Sequence, residues 1–331
     1  MANNKTERFR VAVLDDYEGV ADQAPVYQKL TARAEVKVLR ERLATDDEFR
    51  RALDGVRAVL LMRERTWLGE KQLSLAPSLK LVSQTGRTTA HLDMPGLTKR
   101  GIALAVTSGD SGNSTVELTV ALILALLRRI PEVDRRMRDE AWPAVPGQVF
   151  EGKTLGVVGL GRIGAKVARI AQLFQAKVIA TGRTLTAERA REAGAEAVSL
   201  EKLLRESDIV TIHVPLNRQT RGMIGAKEFA LMKPGALLVN TARGPIVSQA
   251  ALLEALRSGR LGGAGLDVYD EEPLPMDHPL RRLNNTVLLS HRGYATVEIL
   301  RERYEAAMEN ILAFIDGKPV NVINPEALDR K

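Results

Sequence analysis

Short runs of apolar and β-branched residues alternate with helix-forming segments along most of the chain, and this alternation restricts the fold more than any other feature. Strands separated by helices cannot pair as hairpins. They pair in parallel, through crossovers that cover the sheet with helices. The predicted class is therefore α/β, with open parallel sheets. The strand candidates of the first third are Phe9–Leu14, Val36–Leu39, Ala58–Met62, Leu79–Gln84 and Ala103–Val106. A second series starts near Lys153, with candidates at Thr154–Val158, Lys177–Thr181, Ile209–Val214, Ala236–Asn240, Ala264–Asp267 and Thr286–Ser290. A chain of 331 residues exceeds one compact core and suits two Rossmann-like domains with a cleft between them. Between the series, Ser114–Arg129 reads as a strongly apolar helix limited by Pro131. So apolar a helix needs cover on several faces, which predicts a place between domains or at a subunit interface. A final helix near Thr296–Ile315 and the tail after it are expected to return to the first domain. The expected division is thus 1–110 with 296–331, and 111–295.

Composition removes several functions. No cysteine is present, which excludes disulfides, a cysteine nucleophile and thiolate metal sites. The four histidines are scattered without HxxxH-type spacing, so no metal is expected. The first residues lack the apolar stretch of a signal peptide, and the longest apolar run, Val120–Leu127, is far below membrane-spanning length. A cytoplasmic protein with no membrane partner is expected. The net charge of +7 is spread among acids. Its densest cluster, Arg128, Arg129, Arg135, Arg136 and Arg138, is interrupted by Glu132 and Asp134, which predicts a solvated helix end and no nucleic-acid partner.

Within the second series, Gly159, Gly161 and Gly164 stand at a strand-to-helix turn, in Gly159-Leu-Gly-Arg162-Ile163-Gly. The first glycine permits the tight turn, the second lets backbone amides approach a pyrophosphate, and the third lets helix and sheet pack closely. The phosphates would lie at the positive end of the helix. A strand before, a helix after and a second strand beyond complete the context of a dinucleotide-binding fingerprint. Residues 111–295 are accordingly the expected dinucleotide-binding domain, and the remainder the substrate domain.

Three further segments close the last three predicted strands: Asn240-Thr-Ala-Arg243-Gly, Gly265-Leu-Asp-Val-Tyr-Asp-Glu-Glu272-Pro and Leu288-Leu-Ser-His291-Arg-Gly-Tyr. Together with the glycine turn they resemble the D-isomer-specific 2-hydroxyacid dehydrogenases. The resemblance covers nearly the whole chain and is strongest from Lys153 to Thr296. It implies hydride transfer between a nicotinamide coenzyme and a 2-keto acid or D-2-hydroxy acid. It makes Arg243 the substrate arginine, Glu272 the partner carboxylate and His291 the acid/base. It also implies coenzyme contacts at Thr115, Arg162, Ile163, His213, Pro215, Thr220, Thr241, Ala242 and Asp267, the last toward the carboxamide, and a homodimer.

The chemistry asks for these residue types independently. Reduction of a carbonyl by hydride leaves an alkoxide, which needs a proton donor working near neutrality, and imidazole is suited to that. A carboxylate beside an imidazole favours its charged form and orients it. A guanidinium can hold a carboxylate and polarise the keto oxygen with directed donors that lysine lacks. All three residues fall at carboxyl ends of predicted parallel strands, where open α/β sheets bind ligands. His91 and His278 are read as structural.

The segment Ser83-Gln-Thr-Gly-Arg-Thr-Thr-Ala-His-Leu-Asp occupies the place of the family loop whose amides hold the substrate carboxylate, which makes Gly86 and Arg87 candidates. Arg87, His91 and Leu92 depart from the usual pattern there. Arg63 and Arg65 could add charge for a larger or doubly anionic substrate, or serve only the surface.

About twenty residues past Gly159, where an NAD-specific enzyme presents a carboxylate to the ribose, the chain instead reads Thr181-Gly182-Arg183-Thr184. Gly182 leaves room and Arg183 can pair with a 2′-phosphate, so NADP(H) is expected to be preferred, with NAD(H) possible. The triplet also resembles the NADPH-using glyoxylate/hydroxypyruvate reductases of the family. The alternative is that Arg183 stacks on adenine and both coenzymes serve. The resemblance also implies an alternative, a nucleotide-binding corepressor-like scaffold without turnover, since such members share the family's fold; a different Rossmann enzyme such as an amino-acid dehydrogenase would leave the spacing of the three strand-end segments coincidental.

Overall fold

The computed structural model describes residues 8–108, 112–139 and 142–329. It divides into two compact units, Met1–Asp110 with Thr296–Lys331, and Ser111–Ala295.

The first unit runs β1 (Phe9–Leu14), α1 (Pro25–Arg33), β2 (Ala34–Val38), α2 (Asp46–Ala52), β3 (Ala58–Leu61), α3 (Glu70–Ser74), β4 (Leu81–Gln84), α4 (Met94–Lys99) and β5 (Ala103–Val106). The strands form one parallel sheet in the order β2-β1-β3-β4-β5. Every residue of β3, β4 and β5 is buried, as expected of strands covered on both faces. At the edge, β2 alternates buried or half-buried with exposed positions.

The second unit runs α5 (Asn113–Leu127), α6 (Ile130–Asp139), β6 (Thr154–Val158), α7 (Arg162–Leu173), β7 (Lys177–Thr181), α8 (Ala187–Glu192), β8 (Glu196–Ala197), α9 (Leu200–Glu206), β9 (Ile209–Ile212), α10 (Ala226–Leu231), β10 (Ala236–Asn240), α11 (Gln249–Arg257), β11 (Leu261–Leu266) and β12 (Thr286–Leu288). Its sheet has seven parallel strands, in the order β12-β11-β10-β9-β6-β7-β8.

Three readings of the sequence need correction. The sheet has a seventh strand, β8, whose two residues are too few to carry a periodic signal. β11 begins at Leu261, before the expected Ala264, and contains Gly262 and Gly263. These glycines look like a turn but allow close approach of neighbouring backbone: a Cβ on Gly262 would stand 2.4 Å from the Gly235 carbonyl, and one on Gly263 2.8 Å from that of Asn285. Pro131 does not stop the apolar helix. α5 ends at Leu127, Arg129 takes a positive φ of 51°, and Pro131 sits in the first turn of α6, where its missing N–H costs nothing.

Within its own unit α5 packs against α7, β10, β11 and β12. The basic cluster lies at the end of α5 and on the exposed α6, where Arg129 and Arg138 pair with Glu132 and Asp134 at 2.6 and 2.9 Å.

The last helix, α12 (Val297–Ile315), belongs to the first unit and lies across β4, β5 and α1. Thr296 caps it by accepting from the Ile299 amide. The tail then covers the β5 edge: Val106 N–H donates to the Asn321 carbonyl, Ile323 N–H to that of Leu104, and Leu104 N–H to Asn324 Oδ1. An edge so covered offers no open ladder. Inside, the fully buried Tyr304 of α12 donates its hydroxyl to Asp16 Oδ1 at 3.0 Å, and the same carboxylate accepts the Val20 and Ala21 amides. Replacing Tyr304 by Phe removes one buried hydrogen bond to a charged acceptor, so it is expected to lower stability by about 1–3 kcal/mol. Urea unfolding at neutral pH measures this; an unchanged midpoint would show that the bond contributes nothing.

Candidate active site

At the carboxyl end of β6 the three glycines answer to different constraints. Gly159 has φ +100°, and a Cβ there would meet the His213 and Val214 atoms at 2.8 Å. At Gly164 a Cβ would stand 2.2 Å from the Gly159 carbonyl oxygen, so only glycine lets α7 lie this close to the turn. Gly161 differs. Its backbone is extended, with φ −85° and ψ −160°, and nothing beyond its chain neighbours lies within 4 Å of a Cβ built on it. Nothing in the surrounding protein demands glycine at 161. The open space lies where α7 begins without a side-chain cap, which suits the backbone approach of a pyrophosphate to helix amides. The residues present fit a dinucleotide.

His213 lies on the neighbouring strand end. Its Nε2 is 2.9 Å from Thr211 Oγ1, and burial pushes its pKa down to about 4, so the ring is neutral near pH 7. A neutral ring already engaged by Thr211 suits a pocket wall better than proton transfer. On the other side of β6, Gly182 and Arg183 follow β7, and Arg183 Nη1 donates to Gln219 Oε1 at 3.0 Å. The first carboxylate after β7, Glu188, lies 3.4 Å from Arg191. Thr220 donates its hydroxyl to the Pro215 carbonyl at 2.6 Å and fixes the loop after β9.

Arg243, Glu272 and His291 follow β10, β11 and β12, three adjacent strands that end on one edge of the sheet. Glu272 and His291 meet: Nδ1 lies 2.6 Å from Oε2, with both side chains about one-third exposed or less. A carboxylate only accepts, so Nδ1 carries the proton in this pair and Nε2 is left for other contacts. The other Glu272 oxygen accepts the Tyr269 amide at 2.9 Å. The peptide bond between Glu272 and Pro273 is cis. Tyr294 stands edge-on to the imidazole, with ring centroids 5.9 Å apart. Arg243 Nη1 donates to the Ala242 carbonyl at 2.7 Å, and the Arg243 carbonyl accepts from Asn240 Nδ2 at 3.0 Å.

Asp267 does more than its sequence position suggested. It is 1% exposed, and burial raises its pKa against the opposing pull of two backbone donors. Its Oδ1 accepts the Arg292 amide at 2.6 Å and its Oδ2 the Gly293 amide at 2.8 Å, while its carbonyl accepts the His291 amide at 2.8 Å. Three successive amides are thus tied to one residue, and they hold His291 at φ 56°, a conformation a β-carbon disfavours. Thr115 extends the clamp from α5 by donating to the Gly293 carbonyl at 2.9 Å, and Thr119 of the same helix lies 2.9 Å from Thr241. The signal for this clamp was an aspartate at a strand end. Its three partners lie more than twenty positions away and only the fold places them.

In the first unit, Gly86 has φ +82° and its amide donates to Thr107 Oγ1 at 2.8 Å. Arg87 is exposed. Arg65 makes a bidentate pair with Glu18 at 2.7 and 2.8 Å and also donates to the Asp15 carbonyl; Arg63 pairs with Glu64 at 3.2 Å. His91 is buried beside Gln84, and burial lowers its pKa; His278 Nδ1 accepts the Leu280 amide. Among the described residues no group of three or more His, Cys, Asp or Glu could hold a metal, and no helix is long and apolar enough to cross a membrane.

Comparison with known proteins identifies the family. Residues 120–293 match the model of the D-isomer specific 2-hydroxyacid dehydrogenase, NAD binding domain. A glyoxylate reductase from Thermococcus litoralis is 42% identical over 266 residues, 77% of this chain and 80% of that protein. A D-3-phosphoglycerate dehydrogenase from Archaeoglobus fulgidus is 36% identical over 273 residues, 82% of this chain but 52% of that longer protein. The crystal structure of a phosphoglycerate oxidoreductase from Vibrio cholerae superimposes with a TM-score of 0.88 at 30% identity, covering 93% of this chain and 99% of the other. The chain belongs to the D-isomer-specific 2-hydroxyacid dehydrogenase family.

The glycines predict opposite phenotypes. Gly164→Ala forces α7 from the turn and is expected to cost about 1–3 kcal/mol of stability. Gly161→Ala should leave stability nearly unchanged but weaken coenzyme binding about tenfold or more, a loss of about 1.4 kcal/mol or greater. Unfolding curves and coenzyme titrations of both variants separate the two; equal behaviour would refute the division of roles.

Proposed function

We propose that the chain reduces a 2-keto acid to a D-2-hydroxy acid with NADPH in preference to NADH, using Arg243, Glu272 and His291. The observation that carries this reading is the 2.6 Å pair of His291 and Glu272 at the sheet edge shared with Arg243. When bound, the nicotinamide coenzyme supplies the hydride to the carbonyl carbon. His291 gives a proton from Nε2 to the oxygen that becomes the hydroxyl, and takes it back in the oxidative direction. Glu272 holds the ring through Nδ1, and Asp267 holds the backbone from which the ring projects. Arg243 binds the substrate carboxylate and polarises the keto oxygen. In the first unit Gly86 and Arg87 contribute to substrate binding. Thr115, Thr241, Ala242 and Asp267 line the nicotinamide side, Gly159 to Gly164 the pyrophosphate, and His213, Pro215 and Thr220 the adenosine side. The names of the relatives put glyoxylate and the 2-keto acid corresponding to D-3-phosphoglycerate first among substrates to test.

A panel of 2-keto acids assayed with both coenzymes tests the reaction. His291→Ala is expected to lower the reductive kcat by about two to four orders of magnitude while coenzyme binding is retained. A variant with most of its rate would remove His291 from the role, and nucleotide binding without reduction of any keto acid would favour the scaffold function instead.

Coenzyme preference is tested separately on one substrate. The wild type should show the higher kcat/KM with NADPH, and Arg183→Ala should lower that preference about tenfold or more, as expected for a charge-assisted pair with phosphate. A wild type that prefers NADH, or an unchanged preference in the variant, would overturn this assignment.

A further inference from the structure

Arg183 stands on an exposed turn, where a long side chain ordinarily samples many rotamers and gives up entropy when immobilised. Here it has a partner that the sequence does not suggest, Gln219, thirty-six positions further on. The strand order explains the meeting: β7 and β9 flank β6, so the loop after β9 and the turn after β7 lie on either side of the strand that carries the glycine turn.

Gln219 is itself well placed. Asn217 Oδ1 accepts the Gln219 amide at 2.8 Å and the Thr220 amide at 3.1 Å, and the Thr220 hydroxyl returns to the Pro215 carbonyl at 2.6 Å. The loop is therefore held by an Asx turn before any ligand arrives. From this support Gln219 Oε1 accepts one of the five N–H donors of Arg183. The bond orients the guanidinium but does not neutralise it, because the acceptor is an amide, and no ion pair joins Arg183 to a carboxylate among the described residues. A glutamate at 219 would reach equally far and also orient Arg183. It would cancel the charge that attracts a phosphate and set its own charge against that phosphate.

We infer that Gln219 is a specificity-determining residue for the coenzyme: its neutral side chain positions Arg183 for a 2′-phosphate and leaves the arginine charge uncompensated. This rests on the reading above that Arg183 binds the 2′-phosphate. Gln219 is a positioning residue and takes no part in the chemistry. The Gln219→Glu substitution keeps size and reach and changes only charge, so it separates positioning from electrostatics.

The test measures binding of 2′,5′-ADP and of 5′-AMP to the full chain by calorimetry, in the wild type, Arg183→Ala, Gln219→Ala and Gln219→Glu. Thermal melting confirms that each variant is folded. The wild type should bind 2′,5′-ADP more tightly than 5′-AMP. Gln219→Glu should weaken 2′,5′-ADP binding about tenfold or more, with steeper loss at low salt, while 5′-AMP binding changes by less than about twofold. Gln219→Ala should weaken 2′,5′-ADP binding about three- to fivefold, since the charge of Arg183 survives but its orientation does not. If Arg183→Ala removes the preference for 2′,5′-ADP and Gln219→Glu does not reduce it, the role of Gln219 is overturned and the reading of Arg183 stands. If the wild type shows no preference for 2′,5′-ADP, both fall together. Equal losses for the two nucleotides in Gln219→Glu would mark a structural effect on the loop and would also overturn the inference.

Discussion

The arrangement of the second unit depends on one buried carboxylate. Asp267 lies at the end of β11 with almost no exposure, and a charge there is costly unless donors surround it. The donors are the amides of Arg292 and Gly293, while the amide of His291 binds the Asp267 carbonyl. The turn that results is one that an L-residue does not adopt readily, with His291 at φ 56°. The carboxylate and the turn therefore require each other. Remove the aspartate and three amides lose their acceptors or the geometry that presents them; relax the turn and the carboxylate is left buried without donors. Because β12 is a short edge strand of three residues, it cannot hold that turn by its own ladder. The support comes from the side, from β11 and from Thr115 of α5.

From that fixed turn the rest of the site follows by strand order. A parallel sheet ends all its strands on one edge, so residues separated by tens of positions in the chain become neighbours there without any local sequence relation. Glu272 reaches His291 across the β11–β12 edge, and the Tyr269 amide holds the carboxylate in place. Close approach of backbones does the same work elsewhere. A Cβ on Gly244 would stand 2.0 Å from the Tyr269 carbonyl carbon, so the loop after Arg243 and the loop before Glu272 touch directly. At the coenzyme end, Gly164 keeps α7 tight against the turn, while Gly161 leaves open space that the surrounding protein does not use.

Much of this was legible along the chain because it is written in local patterns. Buried parallel strands are continuous apolar runs, and β1, β5, β6, β7 and β10 fall where those runs fall. The glycine spacing, the strand-end motifs of Arg243, Glu272 and His291, and the departure at Gly182 and Arg183 are likewise short-range features. The misreadings came from residues with two uses. Gly262 and Gly263 look like a turn and belong to a strand because neighbouring backbone lies close; Pro131 looks like a stop and opens a helix because Arg129, at positive φ, has already ended the one before it.

The sequence by itself determined the class of fold, the family and the residue types brought to the chemistry, since these rest on periodicity and on motifs a few residues long. Only the tertiary structure decided which groups are already engaged and which remain for a ligand. It showed Gly86 donating to Thr107, Arg65 held by Glu18, Asp267 clamping the His291 turn and Gln219 orienting Arg183. Each of these is a contact between segments distant in sequence, set by strand order and by how closely backbones approach, and neither quantity has a signature within any one segment.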